Sequence, residues 1–303
     1  MVADLSVIIL NWREEQQTCR CVAAFRRWES LQPTIFVVDN ESSEKSRIAL
    51  GNVLGPNELI YSQANLGYAG GNNLGIARTL QSRTPFVLLI NNDAAIEETD
   101  MIHLIDRLRD HPDIAIIGPV LHERWEDDVQ CYIGGRDIAQ NVLTREAAKL
   151  EDLPRVPGYP LCDVDYVPGT VFLARRSVFE QIGLLDEDFF FSGEIADFCK
   201  RARDGGHRVC VDLEAAAQHD ASETAQPIRD TLYVYYSLRN RFLYANKHHS
   251  SEQAKYLALW SGLCLVELGR ALAAGKLRKA RAILLAVAHG CTGRFGNRNA
   301  AFL

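Results

Sequence analysis

The triplet Asn91-Asn92-Asp93 follows directly on the apolar run Pro85–Ile90, which sets a carboxylate where a buried strand opens into a loop. In open α/β sheets that edge is where ligands bind. A second β-like run ends in Val37-Val38-Asp39-Asn40, and the segment Asn65–Gly75 (NLGYAGGNNLG) is rich in residues that allow close backbone approach. Together these stretches describe a crevice suited to phosphate and a metal ion. Further along, Glu194-Ile195-Ala196-Asp197 spaces two carboxylates one helical turn apart, on one face, where either can serve as a general base. His219 adds an imidazole downstream.

These groups need a scaffold, and the apolar pattern supplies one. Runs at 5–10, 34–38, 59–61, 86–90 and 114–117 are short and rich in β-branched residues, and helical segments near 14–28, 43–50, 69–81 and 99–110 separate them. Such alternation predicts a mostly parallel sheet with helices on both faces. From about 120 to 175 the rhythm changes to Gly, Pro and short strand-like pieces, expected to form an acceptor-facing half of the same domain. A helix near 177–182, another over about 194–204 and a strand near 207–211 complete the body.

Taken with Asn11-Trp12, Val37–Ser42 and the order of the motifs above, residues 4–245 resemble the family 2 glycosyltransferases and, within them, the bacterial rhamnosyltransferase-like branch. The resemblance implies a GT-A, Rossmann-like sheet and an inverting transfer of sugar from a nucleoside diphosphate, dTDP-rhamnose or a UDP-sugar, to a hydroxyl of a glycan or lipid-linked saccharide. It assigns the nucleobase to Asp39 and places Asn11, Asn40, Asn65, Gly67, Gly70, Gly71, Asn72, Asn91 and Asn92 on the nucleotide-sugar side. Mg²⁺ or Mn²⁺ is expected on Asp93 and His219. The helix starting near Tyr233 carries an aromatic-Arg-Asn signature in which Arg239 would contact phosphate.

One departure bears on the base. Relatives carry Glu-Asp at the start of the acidic motif, whereas Ile195 stands at the Asp position and accepts no proton. Glu194 becomes the first choice and Asp197 the second. Plainer readings stand beside these roles: Asp39 and the glycines as turn residues, Glu194 as a helix-start charge, and Asp197 as a partner of Arg201. A catalytically silent nucleotide-sugar-binding protein and a carboxylate-pair hydrolase are the alternative functions.

Charge divides the 303-residue chain. Residues 1–227 carry 21 Lys and Arg against 36 acidic residues, net −15, while 228–303 carry 12 against 3, net +9. A catalytic domain over 1–227 and a basic helical region over 228–303 are therefore expected. The tail suits an anionic surface, through membrane-surface contact near a lipid-linked acceptor, although a helical hairpin or homodimer contact accounts for the same apolar residues. No nucleic-acid reading module is apparent. The apolar run 256–266 is too short to span a bilayer, Met1–Asn11 lacks the features of a secretion signal, and the eight scattered cysteines fit reduced thiols in the cytoplasm.

Overall fold

The structure, a computed structural model, describes residues 4–125, 128–139, 160–220 and 227–302. Strands β1 (Leu5–Asn11), β2 (Thr34–Asn40), β3 (Leu59–Ser62) and β4 (Phe86–Asn91) make a parallel half-sheet in the order 3-2-1-4. Helices α1 (Glu15–Phe25), α2 (Glu44–Gly51) and α3 (Gly67–Leu80) are its crossovers. Val7, Ile8 and Ile9 are all buried, because successive side chains of β1 enter apolar clusters on opposite faces. The register pairs Asn11 with Asp39 and Leu10 with Asn91, which brings the predicted polar residues to one edge.

The second half is more mixed than the alternation suggests. After β5 (Ala94–Ile96) and α4 (Glu98–Asp110) come β6 (Ile114–Trp125), β7 (Asp128–Tyr132), β8 (Leu161–Asp163) and β9 (Val171–Arg175). Helices α5 (Arg176–Ile182) and α6 (Glu194–Asp204) precede β10 (Arg208–Asp220). The order continues 4-9-6-10-5, with β9 antiparallel to both β4 and β6 while β6 and β10 run parallel. The strands β5, β7 and β8, of five residues or fewer, are too short for periodicity to reveal. Part of the expected acceptor-facing stretch lies outside the described residues.

Strand β10 runs well past the predicted 207–211. A register shift between Asp212, opposite Pro119, and Ala216, opposite Val120, leaves Leu213, Glu214 and Ala215 as extra residues. Beyond it the ladder resumes and sets His219 opposite Glu123 on one side and Ala94 on the other.

Helices α7 (Pro227–His248), α8 (Gln253–Ala273) and α9 (Leu277–Cys291) follow. They share a core containing Phe242, Tyr256, Trp260 and Ile283, to which Phe189 and Ala196 of the body also belong. Helix α8 extends the 11-residue apolar run to 21 residues. Among the described residues, Ser250–Ala273 is long and apolar enough, by length and composition alone, to cross a membrane.

Close packing explains several glycines. A Cβ on Gly71 or Gly75 would lie 2.4 Å from Leu10 or Ile8, so α3 sits unusually near β1. Gly67 is more constrained, with φ +71° and the Phe190 carbonyl oxygen 2.2 Å from the site of a Cβ. Gly67→Ala therefore combines a left-handed backbone with a clash against main chain, and should destabilise by about 2–4 kcal/mol. Gly71→Ala meets the flexible end of Leu10 and should cost less. Chemical denaturation of both variants checks the order.

Candidate active site

The polar residues at the sheet edge are tied into two networks. Asn11 Nδ2 donates to Asp39 Oδ1 at 2.9 Å and to Ser42 Oγ at 3.0 Å, while Asn11 Oδ1 accepts from Thr18 Oγ1 at 2.7 Å. Asn92 Nδ2 reaches the same Thr18 hydroxyl at 3.0 Å. Asp39, Asn11, Thr18 and Asn92 thus form one chain of hydrogen bonds from the end of β2 to the end of β4. Trp12 is partly exposed beside it, with the Arg13 guanidinium 5.2 Å from its ring centre and Arg13 at φ +63°. A non-glycine residue at positive φ is uncommon and marks a locally constrained backbone.

The second network holds the glycine segment. Asn40 Oδ1 accepts from Leu66 N at 2.8 Å, and its amide donates to Asn65 Oδ1 and Gly67 O. Asn65 Oδ1 also accepts from Gly67 N. At the start of α3, the N–H groups of Tyr68 and Ala69 point to Phe190 O, at 2.7 and 3.3 Å. Asn72 donates to Tyr68 O. A Cβ on Gly70 would meet Leu66 and Glu187. The expected phosphate cradle is corrected accordingly: Gly67, Gly70 and Gly71 serve packing, and a loop carbonyl already occupies the α3 amides.

Asp93 and His219, the two residues expected to carry the metal, stand side by side. Both side chains are largely buried, with His219 Nε2 3.3 Å from Asp93 Oδ1 and His219 Nδ1 3.0 Å from Glu123 Oε1. Burial by itself would push the imidazole down, but the two carboxylates outweigh it and hold His219 at about 9. Asp93 Oδ1 is buried, with the His219 ring nitrogen as its ion-pair neighbour and no hydrogen bond of good geometry. An oxygen in that state, beside an imidazole nitrogen, fits a divalent cation's donor set. Glu123 on the other ring nitrogen fixes the ring, as carboxylates behind metal-binding histidines do. Sequence reasoning missed it; its only signal is an acidic residue inside a β-like stretch.

A second cluster, His103, Asp212 and Glu214, has ligand atoms within 4.8 Å of one another. Arg107 bonds both carboxylates, Nε to Asp212 and Nη2 to Glu214, each at 3.0 Å. A fixed guanidinium there satisfies the charge that a cation would bring.

Glu194 opens α6 directly after Gly193, which has φ +99°. Its carboxyl is buried, Oε2 lacks a partner, and desolvation raises it to about 7, with the charge of Asp197 adding to the effect. Tyr68 lies close enough for the Glu194 charge to help raise its phenol, and Tyr68 OH donates to Gly169 O at 2.7 Å. The neighbouring Thr170 accepts from Asn91 N. Tyr68 and the Gly169–Thr170 main chain thus link the surroundings of Glu194 to the end of β4. Ile195 instead packs toward Gly169 in the core.

Asp197 is no base. Its buried carboxylate accepts from Arg201 Nε at 2.9 Å and His248 Nε2 at 2.7 Å, with Lys247 Nζ at 2.8 Å. Burial would raise it, yet His248, Arg201 and Lys247 together hold it below the ordinary carboxylate range. Arg239 is likewise corrected. It is buried and donates to Gly296 O, Asp188 O, Phe189 O and Asn240 Oδ1, with Tyr236 against its guanidinium, so it anchors backbone rather than phosphate. Asn240 completes the clamp by donating to Phe189 O, Phe191 O and Ser192 O.

Breaking the Asp197 cluster should be expensive, because Arg201 and Lys247 lose one buried counter-ion and the His248 ring loses its hydrogen-bond partner. Asp197→Ala should cost about 3–5 kcal/mol. Since the folded carboxyl is depressed, its contribution is present above the unfolded value of about 3.9 and is lost as pH falls through the folded value. The gap between wild type and variant should accordingly narrow below about pH 4 in acid-titrated denaturation curves.

Comparison with known proteins agrees with this architecture. Residues 6–183 match the profile "Glycosyl transferase family 2". The low-salt glycan biosynthesis hexosyltransferase Agl10 of Haloferax volcanii is 32% identical over 256 residues, covering 81% of this chain and 76% of the relative. The dTDP-rhamnosyl transferase RfbF of Shigella flexneri is 24% identical over 222 residues, 71% of each chain. Among solved structures, GalNAc-T7 with UDP, GalNAc and Mn²⁺ aligns with TM-score 0.56 at 14% identity, over 78% of this chain and 47% of that one. The mannosyltransferase PcManGT from Pyrobaculum calidifontis, in complex with GDP-Man and Mn²⁺, aligns with TM-score 0.58 at 12% identity, over 96% and 88%. These two likenesses speak to the fold. With a profile match over most of the body and a 32% identical hexosyltransferase relative, the chain belongs to glycosyltransferase family 2 and is a glycosyltransferase of the GT-A fold.

Proposed function

We propose that the protein is an inverting transferase that moves a sugar from a pyrimidine nucleoside diphosphate, dTDP-rhamnose or a UDP-sugar, to a hydroxyl of a glycan or lipid-linked saccharide. The observation that carries this reading is the buried Glu194 carboxyl at the start of α6, with an unpartnered oxygen and a raised proton affinity. A carboxyl near 7 is matched to removing a hydroxyl proton at neutral pH. The relatives named hexosyltransferase and dTDP-rhamnosyl transferase support the donor class.

Asp39, fixed by Asn11, reads the base or ribose. Asp93 and a deprotonated His219 would hold a divalent cation, Mg²⁺ or Mn²⁺, whose charge would offset that of the departing diphosphate. Asn91 and Asn92 border that position and orient the donor. Glu194 takes the acceptor proton as the hydroxyl oxygen bonds to the anomeric carbon and the carbon–oxygen bond to the diphosphate breaks. The free state of all eight cysteines supports work in a reducing compartment, at the cytoplasmic side of a membrane.

The nucleotide site is tested by calorimetry with UDP, dTDP, GDP and CDP, each with and without Mn²⁺. Metal-dependent binding of one pyrimidine diphosphate, lost in Asp93→Ala, is expected; no binding of any would refute the reading.

Glu194→Gln should retain donor binding and lose about 10²–10⁴-fold in turnover. The wild-type rate should climb as pH rises through about 7, and the variant should lack that limb. Binding without turnover in the wild type would favour the catalytically silent alternative, for which Ile195 is the motivating substitution. A stability signature accompanies this. Because the folded carboxyl is raised, the stability it brings is complete below about 4.3 and lost as pH increases through about 7. Glu194→Gln should therefore raise the Tm at pH 8 and change it little at pH 4.

A further inference from the structure

The turn joining α8 and α9 has an unusual surface. Leu277 is 70% exposed and Leu272 53%, on either side of Gly275, whose φ of +67° makes the turn. From Arg270 to Arg281 there are five basic residues, Arg270, Lys276, Arg278, Lys279 and Arg281, and no acidic one. Glu267 on α8 pairs with Arg270 at 2.7 Å and approaches Lys279 at 3.8 Å. Among the described residues no ion pair engages Lys276 or Arg278, and both are exposed. Leu265 and Val266 continue the exposed apolar surface along α8. Apolar side chains flanked by uncompensated cations are the composition that enters the headgroup region of an anionic bilayer.

The position of the turn gives this surface a use. Ala282 and Ala286 of α9 share an apolar cluster with Phe190, Tyr235 and Tyr236, and Phe190 lies in the loop that delivers Glu194. Five residues, roughly 7.5 Å of helix rise, separate Leu277 from Ala282. We infer that the α8–α9 turn docks the enzyme on an anionic lipid surface, with Leu272 and Leu277 inserted among headgroups and Lys276, Arg278 and Lys279 against lipid phosphates. The bilayer then lies near the loop carrying Glu194, where a lipid-linked acceptor would present its sugar. The surface is argued from the turn's own exposure and charge; only the use assigned to it rests on the transferase reading.

The test is co-sedimentation of the full chain with vesicles of phosphatidylcholine alone or with 30% phosphatidylglycerol (a mixture of about that proportion suffices), at low and high salt. Binding is expected only to the anionic vesicles and should weaken with salt. Reversing Lys276, Arg278 and Lys279 to Glu should lower the partition coefficient by more than about a hundredfold, at roughly fivefold for each cation removed. Leu272→Ser with Leu277→Ser should remove the binding that survives high salt. Circular dichroism and nucleotide calorimetry on the same variants report folding and the donor site separately from lipid. Absence of binding to anionic vesicles at low salt would overturn the inference, as would equal binding by the variants. So would sedimentation velocity showing that the wild type dimerises through this turn and that the leucine variants are monomeric.

Discussion

Three carbonyl groups in four residues, those of Phe189, Phe191 and Ser192, face donors that lie about fifty residues away on α7. Phe190 and Ser192 have φ of +62° and +71°, and Gly193 follows at +99°. For a bulky aromatic such a backbone is a true outlier, stable only where the surroundings over-determine it. Here they do so from two directions. The first amides of α3 hold the Phe190 carbonyl, while Arg239 and Asn240 hold the groups on either side. Because α3 also packs its glycines on β1, the loop is referenced to the strand edge carrying Asn11. Because α7 holds it as well, the C-terminal helices fix the position of the loop before α6.

That constraint explains how two carboxylates three residues apart acquire opposite character. Glu194 begins α6 immediately after the strained turn and enters a dry site where one oxygen has no partner, so its neutral form is favoured. Asp197, a helical turn on, meets Arg201, Lys247 and His248, which favour the charged form. Environment separates the two proton affinities, and the separation distinguishes a group able to exchange a proton from one that holds α6 against α7.

Much of the fold was legible because β1, β2 and β4 are continuous apolar runs ending in polar residues. The same pattern located Asp39, Asn91 and Asp93 at one edge, and the pairing of Asp93 with His219 agrees with the motif order. The readings that changed share a cause. Arg239 and the glycines of α3 carried ligand roles and Asp197 that of second-choice base, with Arg201 as its plainer partner; what engages them is backbone carbonyls, cations and neighbouring side chains, most of them contributed by distant segments. Charge and backbone freedom suit a structural clamp as well as a binding site, and only tertiary contacts distinguish them. Glu123 was overlooked for the converse reason: its importance comes from cross-strand register, which a single sequence does not display.

The irregularity in β10 gives that register a particular sensitivity. Leu213, Glu214 and Ala215 lie between two correctly paired stretches, so the number of residues in the bulge decides which side chain stands opposite Glu123. Side chains alternate across a sheet, and a slip of one position exchanges its faces. If the bulge held two residues rather than three in the same sequence, Gln218 would stand opposite Glu123 and the imidazole would turn to the other face. The way the chain divides these residues between bulge and ladder, rather than their identity, thus sets the pairing of Asp93 with His219: a length change that the bulge absorbs leaves it intact, and one passed on to the ladder dismantles it.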